Sequence, residues 1–162
     1  MNDLHLSATA YHEAGHAVMA ISLGRPIQKV TIEPKKIQTG GQRLGACQLQ
    51  KGRSGSAKDW LEDEVLILLA GMVAEARFTG RYCQQGAGED LRAAGELLST
   101  RADNPRRLEK QQRRMLEKTE HLLDDPTHIR AIELIAEELL IKSTISGRAV
   151  RHFFHQAQQQ TS

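Results

Sequence analysis

Residues 10–18 read Ala-Tyr-His-Glu-Ala-Gly-His-Ala-Val, with two histidines four residues apart. It lies within a helix predicted over residues 7–23, with Ser7 as the N-cap and Gly24-Arg25-Pro26 as the stop signal. The neighbours of the two histidines are mostly small or apolar, which predicts a largely buried helix. Two imidazoles and a carboxylate buried on such a helix need polar or metal partners.

The spacing within this stretch is the metal-binding pattern H-E-x-x-H, formed by His12, Glu13 and His16. Residues four apart project from one face of a helix, so both imidazoles can reach a single Zn²⁺ at about 2.0–2.1 Å. Glu13 is rotated by about 100° from His12 and so stands beside the metal. The pattern therefore predicts a zinc-activated water with Glu13 as its general base.

A catalytic zinc usually has three protein ligands, and these residues supply only two. The extended pattern with a third histidine fails, because Met19 and Ser22 occupy its Gly and His positions. Glu75 closes an apolar run, and Asp90 follows Gly86-Ala87-Gly88 at a predicted helix start. The residues alone leave the third ligand open among Glu62, Asp63, Glu64, Glu75, Asp90, His121 and His128.

The remaining periodicity predicts a mainly α (α+β) chain with a small N-terminal β-sheet. Strands are expected at residues 29–33 and 44–49, with a turn at 35–41. Further helices are expected from the Ser56-x-x-Asp59 start to residue 78, at 89–102 after a loop over 81–88, at 106–123, after Asp125-Pro126, and after Ser146-Gly147.

One domain over residues 1–162 is the predicted organisation. It comprises the zinc helix and sheet (1–50), a helical part (56–155) and a polar, Gln-rich tail (156–162).

Composition excludes several classes of function. A net charge of +2 and 4% aromatic residues argue against a nucleic-acid partner. The longest apolar run, residues 65–74, is about half of what a membrane span needs, and the first residues do not resemble a signal peptide. With two cysteines and no G-x-x-x-x-G-K-[ST] pattern, the expectation is a cytoplasmic protein without its own nucleotide motor.

Three segments together resemble the zinc peptidase domain of FtsH-type AAA+ proteases. They are the helix at residues 10–18, Ala-Gly-Met-Val-Ala-Glu-Ala at 70–76, and Gln-Gly-Ala-Gly-Glu-Asp-Leu at 85–91. The end of the chain, with Glu137-Glu138-Leu139-Leu140 and Ile145-Ser146-Gly147, is similar to that family's last helices. The ATPase module and membrane helices of the family have no counterpart here, and Ala76, Gln85 and Glu89 depart from its pattern.

The resemblance implies that His12, His16 and Asp90 bind Zn²⁺ and that Glu13 is the general base. It implies that Glu75 does not bind the metal but orients one of the ligand histidines. It also implies that the strand containing Leu44, Gly45, Ala46 and Cys47 pairs with extended substrate.

The expected function is that of a stand-alone, ATP-independent zinc metallopeptidase acting on flexible or unfolded polypeptide. One alternative is a zinc-binding partner or regulatory subunit of a separate ATPase or larger protease complex. Another is a zinc hydrolase acting on other bonds, since H-E-x-x-H defines the activated water and not its target. Homo-oligomer formation and a separate ATPase partner stay open.

Overall fold

Helices dominate the computed structural model, which describes residues 3–36, 42–43, 46–49, 59–82 and 84–162. The elements within these ranges are α1 (Asp3–Ser22), β1 (Ile27–Thr31), β2 (Lys35–Lys36), β3 (Gln42–Arg43), β4 (Ala46–Leu49), α2 (Trp60–Thr79), α3 (Gln84–Ser99), α4 (Pro105–Leu122), α5 (Pro126–Lys142), β5 (Thr144–Ser146) and α6 (Gly147–Thr161). The predicted class, mainly α with a small sheet, is confirmed.

The small sheet has three antiparallel strands in the order β4-β1-β5. Val30 in the central strand lies opposite Cys47 on one side and Ile145 on the other. The strands predicted at 29–33 and 44–49 correspond to β1 and β4 with shifted ends. The third strand, β5, was not predicted, because three residues are too few to show an alternating pattern.

The turn predicted over residues 35–41 is wrong at its start. Lys35 and Lys36 pair with Arg43 and Gln42 as the two-stranded ladder β2-β3. Residues 37–41 of that prediction lie outside the described ranges.

Most helix boundaries follow the predicted capping residues. The side chains of Asn104, Asp125 and Ser146 accept backbone N–H groups at the starts of α4, α5 and α6. Gly80 ends α2 in the left-handed conformation at φ 86°. At the start of α2 the cap is Asp59, whereas Ser56 lies outside the described residues.

Two predicted helix starts are wrong. Helix α1 begins at Asp3 and not after Ser7, since no glycine or proline interrupts the preceding turn. Helix α3 runs from Gln84 to Ser99, although residues 81–88 were predicted as a loop and its end was predicted at residue 102. Gly86 and Gly88 each cost about 1 kcal/mol of helix propensity relative to Ala, and packing of α3 against α2 outweighs this cost.

The Gln-rich tail predicted beyond residue 155 is helical instead. Helix α6 continues to Thr161, and Ala157 within it is fully buried. Thr161 is hydrogen-bonded to the Thr127 hydroxyl at 2.6 Å, and Gln160 accepts from Arg130 at 2.7 Å. These contacts with α5 stabilise the end of α6, although its composition alone predicts a frayed terminus.

The core lies around α1 and α2, which pack against each other in opposite directions. Residues 12–20 of α1 and 69–74 of α2 are all buried, and α5 covers another side of α1. Among the described residues, every helix is too short or too polar to cross a membrane. The histidine-bearing face of α1 is thus enclosed on the side of α2.

Candidate metal centre

His12 and His16 lie side by side on the face of α1 that packs on α2. Their exposed fractions are 6% and 8%, and their ring centroids are 4.7 Å apart. Both rings direct Nε2 to a common point, because each Nε2 lies near the same carboxylate oxygen, Oδ2 of Asp90. The predicted pair of imidazoles on one helix face is therefore present.

Helix α2 fixes the orientation of both rings through their other nitrogen. His12 Nδ1–H donates to Glu75 Oε1 at 2.9 Å, and His16 Nδ1–H donates to the backbone carbonyl of Ile67 at 2.7 Å. Such bonds set the tautomer that leaves Nε2 available for a metal. Glu75 thus contacts the His12 ring at the nitrogen opposite to the one that faces Asp90.

Asp90 closes the site from α3. Its Oδ2 lies 2.8 Å from His12 Nε2 and 3.2 Å from His16 Nε2. Because α3 begins at Gln84, Asp90 occupies the second turn of this helix and not its start. One carboxylate oxygen of α3 therefore lies within hydrogen-bonding distance of two ring nitrogens of α1.

Glu13 is the second carboxylate near the two histidines. It is 6% exposed, and one of its carboxylate oxygens lies within 4.8 Å of a ring nitrogen of each of His12 and His16. That distance admits Glu13 as a ligand, and Asp90 Oδ2 lies 2.8 Å and 3.2 Å from the two Nε2 atoms. Both carboxylates therefore lie beside the two histidines, and Asp90 contacts both Nε2 atoms.

The electrostatics of the cluster favour positive charge. Burial lowers the pKa of His12, but hydrogen bonds with Asp90 and Glu75 outweigh it and raise this pKa to about 10. Burial likewise raises the pKa of Asp90, and hydrogen bonds with His12 and His16 outweigh it and hold this pKa well below its usual range. A site that stabilises an imidazolium among carboxylates also suits a bound cation.

The other third-ligand candidates are engaged elsewhere or lie on other elements. Glu62 pairs with Lys118, and Glu64 pairs with Arg25 at 2.6 Å. Asp63 lies between them on the first turn of α2, where burial raises its pKa. His128 donates to the carbonyl of Leu122 at 2.7 Å, and His121 is exposed near the end of α4.

Gly15, inside the H-E-x-x-H pattern, permits the close approach of α1 to α2. A Cβ at this position would lie 2.5 Å from the carbonyl oxygen of Ala70 and 2.6 Å from Cβ of Ala74. Real Cβ atoms do not come within 3.0 Å of such neighbours. The backbone contact at Gly15 therefore brings the histidines within reach of Ile67 and Glu75.

The proposed substrate strand is described only in part. Ala46 and Cys47 belong to β4, opposite Thr31 and Val30 of β1, whereas Leu44 and Gly45 lie outside the described residues. Within the described sheet β4 is an edge strand, and it contacts α1.

Two functional groups on α2 were missed by the sequence analysis: the carbonyl of Ile67 and the space at Gly71. Both precede Glu75 at four-residue intervals, so they share its helix face. That spacing is the one signal in the sequence that could have identified them, once Glu75 was assigned to a histidine.

The part of the chain that contains this cluster is similar to known proteins. The family model of peptidase family M41 matches residues 1–104, which include all the residues of the cluster. The remaining residues, 105–162, contain α4, α5 and α6.

Individual relatives are similar over the same part of the chain. An ATP-dependent zinc metalloprotease FtsH of Protochlamydia amoebophila is 39% identical over 93 residues, which are 55% of this chain and 10% of the relative. FtsH 4 of Sorangium cellulosum is 35% identical over 102 residues, 60% of this chain and 15% of the relative. FtsH of Magnetococcus marinus is 41% identical over 93 residues, 55% of this chain and 13% of the relative.

The match thus spans 10–15% of the length of these three relatives. The match to the family model nevertheless covers well over half of this chain and contains the buried histidines, the glutamate between them and both acids that contact them. The chain belongs to peptidase family M41.

Proposed function

We propose that this chain is a zinc metallopeptidase that hydrolyses peptide bonds in flexible or unfolded polypeptide without nucleotide. The observation that carries the proposal is the convergence of His12 Nε2, His16 Nε2 and Asp90 Oδ2 beside Glu13. Membership of a peptidase family and relatives named as zinc metalloproteases support the same activity.

The donor set fits zinc. Two imidazole nitrogens and one carboxylate oxygen, with room for a further ligand, are typical of catalytic zinc sites. Two atoms bound to one tetrahedral zinc at about 2.0–2.1 Å each lie about 3.3 Å apart, close to the 2.8 Å and 3.2 Å between Asp90 Oδ2 and the two Nε2 atoms. We therefore assign His12, His16 and Asp90 as the residues that hold Zn²⁺.

When bound, the zinc ion lowers the pKa of a water molecule and polarises the carbonyl group of the substrate. Glu13, buried beside the ligands, accepts a proton from the attacking water and returns it to the leaving amine nitrogen. Glu75 and the carbonyl of Ile67 keep the rings of His12 and His16 in the tautomer and orientation that the site requires.

The edge of β4 supplies a route for binding extended substrate. Its inner side pairs with β1, and its outer side has no neighbouring strand within the described sheet. An unfolded segment that adds to this edge gains main-chain hydrogen bonds without sequence preference. We assign this role to the strand that includes Ala46 and Cys47.

We propose hydrolysis without ATP because of the kind of substrate that an edge strand can bind. A segment that is already unfolded needs no threading before it can pair with an edge strand. The substrates are accordingly flexible chains or segments, including any that a separate ATPase delivers.

The test is cleavage of casein and of an unstructured peptide by wild type and Glu13→Gln at equal zinc occupancy, with and without ATP. We expect Glu13→Gln to retain zinc and lose activity by about 10²–10⁴-fold, the usual contribution of a general base. Glu137→Gln, an exposed acid on α5, is the matched control and should keep wild-type activity. Zinc binding without hydrolysis in wild type would favour the partner-subunit alternative, and equal activity in Glu13→Gln would reject the mechanism.

A further inference from the structure

One stripe of α2 reaches the two histidines at three points. Ile67, Gly71 and Glu75 follow one another at four-residue intervals and so lie on one helix face. Ile67 bonds His16 through its carbonyl, and Glu75 bonds His12 through its carboxylate. Gly71 lies between them, opposite both rings.

The missing side chain of Gly71 provides the space that the imidazoles occupy. A Cβ at this position would lie 2.5 Å from both Cε1 and Nε2 of His16 and 2.7 Å from Nε2 of His12. All three distances are below the 3.0 Å that real Cβ atoms keep from such neighbours. Two of the three atoms are the nitrogens that face Asp90.

Neither the rings nor the helices can move away without losing a contact. The rings are held on their Nδ1 side by the carbonyl of Ile67 at 2.7 Å and by Glu75 at 2.9 Å. Separation of the helices would open the contact of Gly15 with Ala70, where the backbones already meet closely. A side chain at Gly71 must therefore displace at least one Nε2 from the common point.

We propose that Gly71 is a positioning residue: its lack of a side chain sets where both Nε2 atoms stand, and thereby the zinc affinity of the site. This inference rests on the proposed zinc site. It adds a requirement that the identity of the ligand residues does not reveal. It concerns the space beside the donors and not the donors themselves.

The test is Gly71→Ala, with zinc affinity measured by competition against a chromophoric chelator. We expect the affinity to fall about 10–100-fold, as for loss of a group that orients a metal ligand. Gly95→Ala on α3 is the matched control, because a Cβ there meets only the free end of the Gln112 side chain, at 3.0 Å. Its zinc affinity should equal that of wild type.

A second measurement separates the clash from a general packing defect. We expect Gly71→Ala to lower the Tm of the metal-free protein, but not when introduced into a His12→Ala/His16→Ala double variant, where the rings are gone. An equal loss of Tm in both backgrounds, or unchanged zinc affinity of Gly71→Ala, would overturn the inference. Failure of wild type to bind zinc would instead overturn the proposed function, and the Tm comparison would still test the steric role of Gly71.

Discussion

The helix pair α1–α2 and helix α4 differ in how much of their surface is buried and in whether they carry the candidate site. Residues 12–20 of α1 and 69–74 of α2 are all buried, whereas α4 has two buried residues, Met115 and Thr119, in 18. Every polar group of the candidate site except Asp90 lies on the buried pair, whereas the exposed side of α4 carries charged side chains such as Arg107 and Arg113.

In α1–α2, the close packing that builds the core also positions the residues of the candidate site. In α4, packing and the site do not depend on each other. Between α1 and α2, a glycine contact sets the helix separation, and that separation brings the histidines to their partners. In α4, side chains that face solvent can change without moving the core. Substitutions should therefore have large effects in the pair and small effects on α4.

The largest effect is expected for His16→Ala. Loss of one of three donors should lower zinc affinity more than about 100-fold, beyond what loss of an orienting group causes, and abolish hydrolysis. Metal affinity and peptide cleavage would be measured together. His155→Ala, an exposed histidine on α6, controls for adventitious zinc binding, and equal losses in both variants would remove His16 from the site.

A smaller effect on zinc is expected for Glu75→Gln. The amide cannot accept the His12 N–H with the strength of a carboxylate, so zinc affinity should fall about 10–100-fold while the fold is kept. Chelator competition measures the change. Glu138→Gln, which removes an acid paired with Lys142 on α5, should bind zinc like wild type. Wild-type affinity in Glu75→Gln would mean that this hydrogen bond does not support the ligand.

Gly15→Ala should act through the helix separation. Overpacking costs about 1–3 kcal/mol, partly offset by about 1 kcal/mol of helix propensity. Since one of the contacted atoms is a backbone carbonyl, the loss should prevail and lower the free energy of unfolding in urea. Gly95→Ala, with the same propensity gain, is the comparison variant. A stabilised Gly15→Ala protein would show that α1 and α2 are not held at contact distance here.

On α4, the expected effect is the smallest. The Arg113 side chain is 69% exposed and lies 3.7 Å from Glu109, so Arg113→Ala should change the free energy of unfolding by about 0.5 kcal/mol or less. Zinc affinity and hydrolysis should stay at wild-type values. A marked loss of either property would mean that α4 contributes to the site, and the proposed difference between α4 and α1–α2 would be wrong.

Much of this contrast could be predicted from the sequence, because it depends on local signals. The H-E-x-x-H spacing placed His12 and His16 on one buried face, and Asn104, Asp125 and Ser146 marked three helix starts correctly. These features depend on a few neighbouring residues and are read without knowledge of the tertiary fold.

What could not be predicted depends on contacts between distant segments. Strand β5 is three residues long and forms by pairing with β1. Helix α3 includes two glycines in its first turns, although glycine disfavours a helix. The contact of His16 with the backbone carbonyl of Ile67 cannot be inferred from the residue type, because every residue has a carbonyl. The residues alone left Asp90 as one of several candidates and the resemblance selected it, since its approach to His12 joins residues 78 positions apart.

The metal site is tested most directly by zinc binding of wild type and Asp90→Ala, measured as metal content after purification and as affinity by chelator competition. We expect one zinc per chain in wild type and a loss of more than about 100-fold in affinity for Asp90→Ala, with Glu13→Gln still binding zinc. Wild type without stoichiometric zinc, or Asp90→Ala with unchanged affinity, would contradict the assignment of His12, His16 and Asp90 as the metal site.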